Sequence, residues 1–508
     1  MKKEGNNKRN MIYIVSAVIS IVIALWGILG GKSFSAFADF LMRILKRDFS
    51  WLYLGVMLFF VLFLLIVAFS RFGKVRLGND DDKPEYSTVS WFAMLFGAGM
   101  GVGLVFWGVA EPLSHYIAPM AGIEPLTEEA ARFSIRSCFM HWGVHPWACY
   151  AVVGLGLAYF QFRKKERTMV SNLLKPMIGE KHTYGIPGKA VDIFTTVLTV
   201  VGVATSFGMG CLQICAGLEY LFGIPNEVIT WVIVIVILCF IYLKSAISGV
   251  GKGIKKISDI NLVLFVALMV VGFLIGPGKE ILSMLVHGIG DYLVHFFPDS
   301  LRLSSNGDST WIQNWRVFYW AWWMSWAPFV GVFIARISKG RTVREFVLGV
   351  MIVPMLVSVI WFSVFGGVGI NVADAFTPEQ LQQIVAVPET ALFIIFSQYK
   401  FGIVMSIIAI VLLTTFFITS ANSATYVLAM LTSDGDIDPP DRKKVFWAIL
   451  MAAIAFALIV SGGVTGIQTI SIVIAFPYLF ILLLVCVSLI IVLKKDTAKQ
   501  KRKDEQKT

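Results

Sequence analysis

The stretch "GAGMGVGLVFWGVAEP", residues 97–112, lies inside an apolar segment that runs from residue 88 to residue 114. Glycines alternate at positions 99, 101 and 103 in this segment, and each weakens helical structure by about 1 kcal/mol relative to alanine. Irregular backbone at membrane depth is tolerated only where protein or a water-filled cavity surrounds it. The stretch therefore predicts a discontinuous membrane helix that lines a transport site.

The chain around this stretch has the composition of a multi-pass membrane protein. Of its 508 residues, 57% are hydrophobic and 15% are charged, which exceeds the apolar content expected of a water-soluble protein. Segments of roughly 20 apolar residues, the length that crosses a bilayer, recur about twelve times. They are residues 11–30, 51–70, 88–114, 134–161, 189–217, 228–248, 258–276, 314–336, 346–370, 401–430, 445–462 and 467–493. We expect an all-α polytopic membrane protein with about twelve transmembrane helices.

Basic segments lie mainly on the side of the membrane that holds both termini. They include "RFGKVR" (71–76), "FRKKER" (162–167) and "RISKGRTVR" (336–344), whereas the gap at 31–50 is a basic exception on the other side. The positive-inside rule therefore predicts cytoplasmic termini and the inner (plasma) membrane as the location. The formal net charge of +11 follows from this asymmetry and indicates no nucleic-acid partner.

A second polar stretch, "FFITSANSATY" (416–426), lies in the middle of the tenth apolar segment. Its serine and threonine hydroxyls could bond to their own helix or join neighbouring helices. The alternative is a sodium site, because hard cations prefer oxygen ligands. Backbone carbonyls around residues 97–100, together with Thr419 and Ser420, would supply such a shell without a carboxylate.

Aromatic residues are concentrated in "HWGVHPWACY" (141–150) and "FYWAWWMSWAPF" (318–329). On a continuous helix Trp142, Trp147 and Tyr150 share an arc of about 140°, which a bend at Pro146 could modify. Indole faces around a void attract a quaternary ammonium, which offers no hydrogen-bond donor. Plain packing accounts for the pattern equally well.

Signatures of enzymatic or metal chemistry are missing from the sequence. Neither a Walker sequence nor an HExxH motif occurs, and the chain is expected not to be an enzyme. His141 and His145 are one helical turn apart, but we expect no nearby carboxylate or thiol to complete a zinc site with them. The six cysteines lie in apolar segments and predict no disulfides. We expect Glu111 to have a structural role, and no cofactor other than Na⁺ as coupling ion.

The glycine stretch, the two aromatic stretches, the sequence "ARISKGRT" (335–342) and "FFITSANS" (416–423) together resemble the betaine/carnitine/choline transporter family. The resemblance extends over essentially the whole chain. It implies a LeuT-like core of two inverted five-helix repeats, formed by spans 3–7 and 8–12, after two N-terminal helices. It also implies a homotrimer and an amphipathic surface helix near residues 279–297.

The resemblance divides the chain into six parts. They are a cytoplasmic tail (1–10), two peripheral helices with a loop (11–86), the first repeat (87–277), the amphipathic helix and a loop (278–310), the second repeat (311–493) and a basic cytoplasmic tail (494–508). That second tail is either a solvated orientation signal or a segment that contacts anionic membrane lipid under osmotic stress.

Family roles transfer to matching positions. The trimethylammonium cage would consist of Trp142, Trp147, Tyr150 and Trp323. The access path would be lined by Trp322, Trp326 and Phe333. The substrate carboxylate would meet the backbone at Val102, Gly103 and Ser206.

The same transfer gives the ion sites. One sodium ion would be held by Gly97, Ala98, Met100, Phe416, Thr419 and Ser420. A second ion would use Thr199, but Val203 stands where its other hydroxyl is expected, and Thr205 or Ser206 would have to compensate.

The subclass follows from residues that related carriers possess and this chain lacks. Sodium-independent carnitine exchangers have an arginine and a methionine where this chain has Asn261 and Val330. Proton-coupled choline carriers have an aspartate at the position of Gly103. These differences favour sodium-coupled uptake of glycine betaine by alternating access in the osmotic stress response. Choline, carnitine and, with less support, an amino acid are the alternative substrates.

Overall fold

The computed structural model describes residues 2–97, 101–247, 251–303 and 309–505. In chain order its α-helices are α1 (Lys2–Leu29), α2 (Gly31–Phe69), α3 (Thr88–Gly97), α4 (Gly101–Ile117), α5 (Glu128–Trp142), α6 (Val144–Ala158), α7 (Val170–Leu173), α8 (Lys175–Thr183), α9 (Ile186–Phe222), α10 (Val228–Ile247), α11 (Gly251–Ile275), α12 (Gly278–Val294), α13 (Phe296–Leu301), α14 (Thr310–Asn314), α15 (Arg316–Arg336), α16 (Val343–Asn371), α17 (Pro378–Ala386), α18 (Pro388–Phe396), α19 (Gly402–Leu431) and α20 (Asp441–Glu505). Short 3₁₀ or π turns occur at Arg71–Lys74, Tyr159–Arg163 and Ala373–Ala375. The predicted all-α class is confirmed for these residues.

Nine helices within the described ranges are long and apolar enough to cross a membrane. The last two predicted spans both lie in α20, which consists of two helical parts joined by a kink at Gly462 and Gly463, where the backbone leaves helical geometry. The third predicted span is divided between α3 and α4, and its predicted discontinuity falls on residues 98–100, outside the described residues. Twelve crossings therefore stay a prediction.

Residues 31–50, predicted to separate the first two spans, are helical and belong to the 39-residue α2. Gly30 alone separates α1 from α2. The segment contains many good helix formers and no proline. Its basic residues therefore lie on a helix and not in a loop.

The fourth span is interrupted at Gly143 and not at Pro146, where the sequence allows a bend. Trp142 ends α5 and Val144 begins α6. A side chain at Gly143 would collide with the Tyr292 hydroxyl of α12, 2.6 Å from the position of an added Cβ. The same hydroxyl accepts a hydrogen bond from the Val144 amide at 3.3 Å. The Tyr292 hydroxyl therefore pairs with one of the backbone amides that the interruption leaves free at the start of α6.

Several helix contacts are those of two equivalent halves. Each of these has a counterpart when α4, α6, α9 and α11 are exchanged with α15, α16, α19 and α20, respectively. α6 packs on α15 as α4 packs on α16, and α9 packs on α15 as α19 packs on α4. Likewise α20 packs on α9 as α11 packs on α19. Five membrane crossings in each half, as predicted, would give the halves opposite orientations, which the expected LeuT-like core of inverted repeats requires.

The predicted amphipathic segment is helical and packs with one face. Ile281, Gly288 and Tyr292 of α12 are buried, whereas Leu282 and Val286 are exposed. The buried face contacts α5 and α16, which places α12 directly over the interruption of the fourth span.

Candidate substrate and ion sites

Six aromatic side chains from α5, α6 and α15 meet in the buried centre of the molecule, and we name them the aromatic cluster: Trp142, Trp147, Tyr150, Tyr319, Trp322 and Trp323. The rings of Trp322 and Trp323 are stacked at 4.6 Å between centroids. Trp142 stands edge-on to both, at 6.0 Å and 4.9 Å respectively. Tyr150 makes edge-to-face contacts with Trp323 at 6.3 Å and with Trp147 at 5.6 Å. The predicted cage residues therefore lie together.

Hydrogen bonds fix the α15 indoles against neighbouring helices. Trp323 Nε1 donates to the His141 carbonyl at 3.0 Å, and Trp322 Nε1 donates to Ser206 Oγ at 3.2 Å. One turn further along, Trp326 Nε1 donates to the carbonyl of Gly202 at 2.8 Å. Such bonds satisfy buried indole donors and set the planes of the rings.

The predicted access-path residues form a column along α15. Trp322 and Trp326 are buried against α9, and Phe333 is half-buried two turns beyond Trp326. This column connects the aromatic cluster with the end of α15 that carries "ARISKGRT".

Glu111 holds one edge of the aromatic cluster, a contact that sequence reasoning missed. Its Oε2 accepts from Trp142 Nε1 at 2.7 Å and from the Tyr319 hydroxyl at 2.5 Å. Its Oε1 lies 2.7 Å from His141 Nδ1 and 3.3 Å from His115 Nε2. An ionisable residue inside a membrane segment is a functional candidate by default, and this signal could have identified it.

A carboxylate lies next to His141, contrary to expectation, and a thiol lies close to that carboxylate. Ligand-type atoms of Glu111, His115 and Cys138 lie within 4.8 Å of one another, and Glu111 contacts His141 directly. His145, on the far side of the interruption, instead lies 3.0 Å from Ser300 Oγ. Both oxygens of Glu111 already have close donors, so the arrangement is a hydrogen-bonded carboxylate, and no zinc site is inferred.

The predicted carboxylate site lies where α4, α9 and α15 meet. A Cβ at Gly103 would stand 2.8 Å from Trp142 Cη2 and 3.0 Å from Trp322 Cη2. Val102 is buried against Gly210 of α9, and Ser206 is bonded to Trp322. The three predicted residues therefore border the aromatic cluster, and only glycine at position 103 lets α4 approach its rings.

The residues predicted to bind the first sodium ion are described in part. Gly97 is the last residue of α3, and Ala98 and Met100 lie outside the described residues. Thr419 Oγ1 donates to the carbonyls of Thr415 and Phe416, both at 3.1 Å. Ser420 is half-buried beside it. Thr419 Oγ1 also accepts from Asn261 Nδ2 at 3.5 Å, which leaves it one lone pair for a cation.

Two further contacts mark the surroundings of Thr419. Asn261 Nδ2 lies 3.5 Å from Thr419 Oγ1, so the position at which sodium-independent relatives are expected to have arginine borders the predicted ion site. A Cβ at Gly101 would overlap the Phe416 ring. The start of α4 is therefore packed on α19.

The prediction of a second ion site depends mainly on the hydroxyl of Thr199. Thr199 is buried in α9, and its Oγ1 donates to the Thr195 carbonyl at 2.7 Å. Val203 lies one turn later and has no oxygen in its side chain. Thr205 Oγ1 donates to the Gly202 carbonyl at 2.6 Å, and Ser206 is bonded to Trp322.

Several known transporters are similar to this chain over nearly its whole length. The chain is 43% identical to the glycine betaine transporter OpuD of Bacillus subtilis, with 97% of this chain and 98% of that protein aligned. It is 42% identical to a probable glycine betaine transporter of Desulfitobacterium hafniense, with 97% and 99% aligned. It is also 40% identical to an ectoine/hydroxyectoine transporter of Virgibacillus pantothenticus, with 98% and 99% aligned. The model of the betaine/carnitine/choline family of transporters matches residues 11–498, and the chain belongs to that family.

Proposed function

We propose that this protein couples the inward movement of sodium to the uptake of glycine betaine by alternating access. The observation that carries the proposal is the double contact of one glycine segment. Gly101 packs on Phe416 in the predicted ion site, and Gly103, two residues later, packs on Trp142 and Trp322. An ion that rearranges this backbone would also change the space beside the aromatic cluster, which is the physical basis of coupling.

The aromatic cluster suits a trimethylammonium group. Its four indoles and two phenol rings supply electron-rich faces in a buried position, and each close cation–π contact contributes about 0.5–2 kcal/mol. Two relatives named as glycine betaine transporters support this substrate. A third relative, named for ectoine and hydroxyectoine, makes ectoine the informative competitor, because its positive charge carries N–H groups that a cage of indole faces does not satisfy.

The proposed ion site draws on Thr419, Ser420 and backbone carbonyls at residues 97–100 and 416. The neighbouring Asn261 is neutral, so it does not replace a sodium ion with a fixed charge. A cage of neutral oxygens leaves the ion's charge uncancelled, and this favours rapid release on the low-sodium side. Thr199 alone is a weak basis for a second ion.

Uptake into proteoliposomes tests the function. Labelled glycine betaine, choline, carnitine and ectoine are supplied with an inward sodium gradient, and then with the gradient replaced by potassium. We expect accumulation of glycine betaine only with the sodium gradient, and weaker uptake of the other three. Uptake of unmethylated glycine at the same rate as glycine betaine would instead support an amino-acid carrier.

The proposed setting is the plasma membrane, with both termini in the cytoplasm and three copies in the assembly. The basic segments on the terminal side support this orientation. The segment after span 12 continues as helix α20 to Glu505, and Asp496 accepts hydrogen bonds from Tyr159 and Lys164. The basic tail would therefore leave the protein from a fixed point, from which it can contact anionic lipid.

A further inference from the structure

We propose that the Glu111 carboxylate is the counter-charge that makes the aromatic cluster select a cation over a neutral group of the same shape. The inference rests on the proposed function, since it concerns the ammonium group of the same substrate. Glu111 contacts the polar edges of the rings, namely Nε1 of Trp142 and the hydroxyl of Tyr319. Its charge would therefore act on the substrate through these rings and not by direct contact.

The surroundings of Glu111 indicate an ionised carboxylate. Four donor-type atoms converge on its two oxygens, from Trp142, Tyr319, His141 and His115. His141 Nε2 and His115 Nδ1, the other ring nitrogens, have no hydrogen-bond partner among the described residues. Each imidazole can therefore be neutral with its one N–H directed at Glu111. Several donors to one carboxylate stabilise its charged form against the cost of burial.

No arginine or lysine forms an ion pair with Glu111 among the described residues. The buried Arg316 is engaged elsewhere, because it donates to the Asp299 carbonyl and lies 5.3 Å over the Trp311 ring. Arg136 pairs with Asp299 at 2.8 Å. The negative charge of Glu111 is therefore directed into the aromatic cluster.

Two effects of this charge favour a bound cation. A carboxylate that accepts from an indole N–H or a phenol O–H increases electron density in the ring, which strengthens the attraction of its face for a cation. The carboxylate also attracts the cation directly across a low-dielectric region, where charges interact more strongly than in water. Neither effect acts on an uncharged tert-butyl group.

The variant Glu111→Gln removes the charge and preserves the shape. The amide oxygen can accept from Trp142 and Tyr319, and the amide nitrogen can donate to the imidazoles after each moves its proton to its free nitrogen. The probes are glycine betaine and 3,3-dimethylbutanoate, in which carbon replaces the quaternary nitrogen. Each probe, unlabelled, competes with the uptake of labelled glycine betaine, which gives an inhibition constant for each. We expect the ratio of these constants, isostere over betaine, to fall on the order of tenfold in the variant.

Asp192→Asn is the matched control. Asp192 is also a buried carboxylate, and it accepts from the Ser171 amide and hydroxyl at 2.9 and 2.6 Å. Its loss should affect stability without changing the ratio. If Glu111→Gln yields no folded protein, Glu111→Asp should keep the ratio, and Glu111→Ala should lower it.

The outcomes separate this inference from the proposed function. Wild-type protein that neither binds nor transports glycine betaine would overturn the proposed function. Wild-type protein that prefers betaine to the isostere, with an unchanged ratio in Glu111→Gln, would overturn only the role of Glu111. Equal losses of affinity for both probes would give Glu111 a purely structural role and would also overturn the inference.

Discussion

The two sides of the interruption at Gly143 contribute aromatic residues of similar type with opposite hydrogen bonding. On the α5 side, Trp142 is tied through its indole nitrogen to Glu111. On the α6 side, Trp147 Nε1 and the Tyr150 hydroxyl have no hydrogen-bond partner among the described residues. All three side chains are buried.

The α5 side of the candidate site is therefore fixed by hydrogen bonds, whereas the α6 side has two hydrogen-bond donors without a partner among the described residues. The α5 side has its ring planes set by protein contacts before any ligand arrives. The α6 side has donors that gain a partner only from water, a ligand or a rearrangement of helices, and a buried donor without a partner costs about 1–3 kcal/mol. A helix interruption lets these two environments lie side by side.

We expect the largest effect when the indoles of Trp142 and Trp147 are replaced, one at a time, by the benzene ring of phenylalanine. Trp142→Phe removes a donor to Glu111, and we expect it to lower the free energy of unfolding by about 1–3 kcal/mol. Trp147→Phe removes no hydrogen bond and should cost clearly less. Thermal unfolding of the two purified variants in the same detergent measures the difference. Equal destabilisation of the two variants would show that the hydrogen bond to Glu111 contributes no stability beyond the packing of the ring.

Trp323→Leu tests the cation–π role of α15. Apparent affinity for glycine betaine should fall roughly 5- to 30-fold, which corresponds to about 1–2 kcal/mol, with Trp323→Phe between this variant and wild type. Leucine also leaves the His141 carbonyl without its donor, so a moderate loss of stability should accompany the change. Normal betaine affinity in the folded variant would assign Trp323 to packing alone.

The sequence predicted which residue types converge, but it did not predict how they are held. Periodicity and family motifs identified Trp142, Trp322 and Trp323, because a segment rich in aromatic residues can be recognised from the local sequence. The contacts of Glu111 with Tyr319, 208 positions away, depend on the packing of α4 against α15 and leave no local pattern. The position of the interruption at Gly143 depends in the same way on Tyr292 of a distant helix.

The ion site gives a smaller predicted effect. Thr419→Ala should raise the sodium concentration for half-maximal uptake several-fold, because one ligand oxygen is lost, on the order of 1 kcal/mol. Ser420→Ala should act in the same direction. Thr425→Ala is the matched control, since its buried hydroxyl donates within the same helix, to the Ala421 carbonyl at 2.7 Å. Unchanged sodium dependence in both test variants would remove the two residues from the ion site.

The weakest expected effect concerns the docking of α12 on the α5 side. Arg132, half-exposed, donates to Asp291 at 2.8 Å, and its hydrogen bond and charge hold the pKa of Asp291 below the ordinary value of 3.8. The resulting stabilisation is present above that ordinary pKa and is lost as the pH falls through the lower folded-state value. Solvent screening limits it to less than about 1 kcal/mol.

Unfolding of wild type and Arg132→Gln at neutral pH and at pH values below the folded-state pKa measures this contribution. The difference between the two proteins should be small at neutral pH and should disappear in acid. A difference that persists in acid would assign the effect to packing of the arginine side chain on α12.

Gly103 has a consequence for the way substrate range can change over generations. Every glycine codon is one base change from alanine and from an acidic residue, so variants at this position arise constantly in a population. A methyl group there would meet Trp142 at 2.8 Å and Trp322 at 3.0 Å, and a carboxylate would bring a charge to the same rings. A single base change at this codon would therefore alter the shape or the charge of the proposed substrate site at once. A lineage under pressure to use a different osmolyte would have this route available without rebuilding any helix.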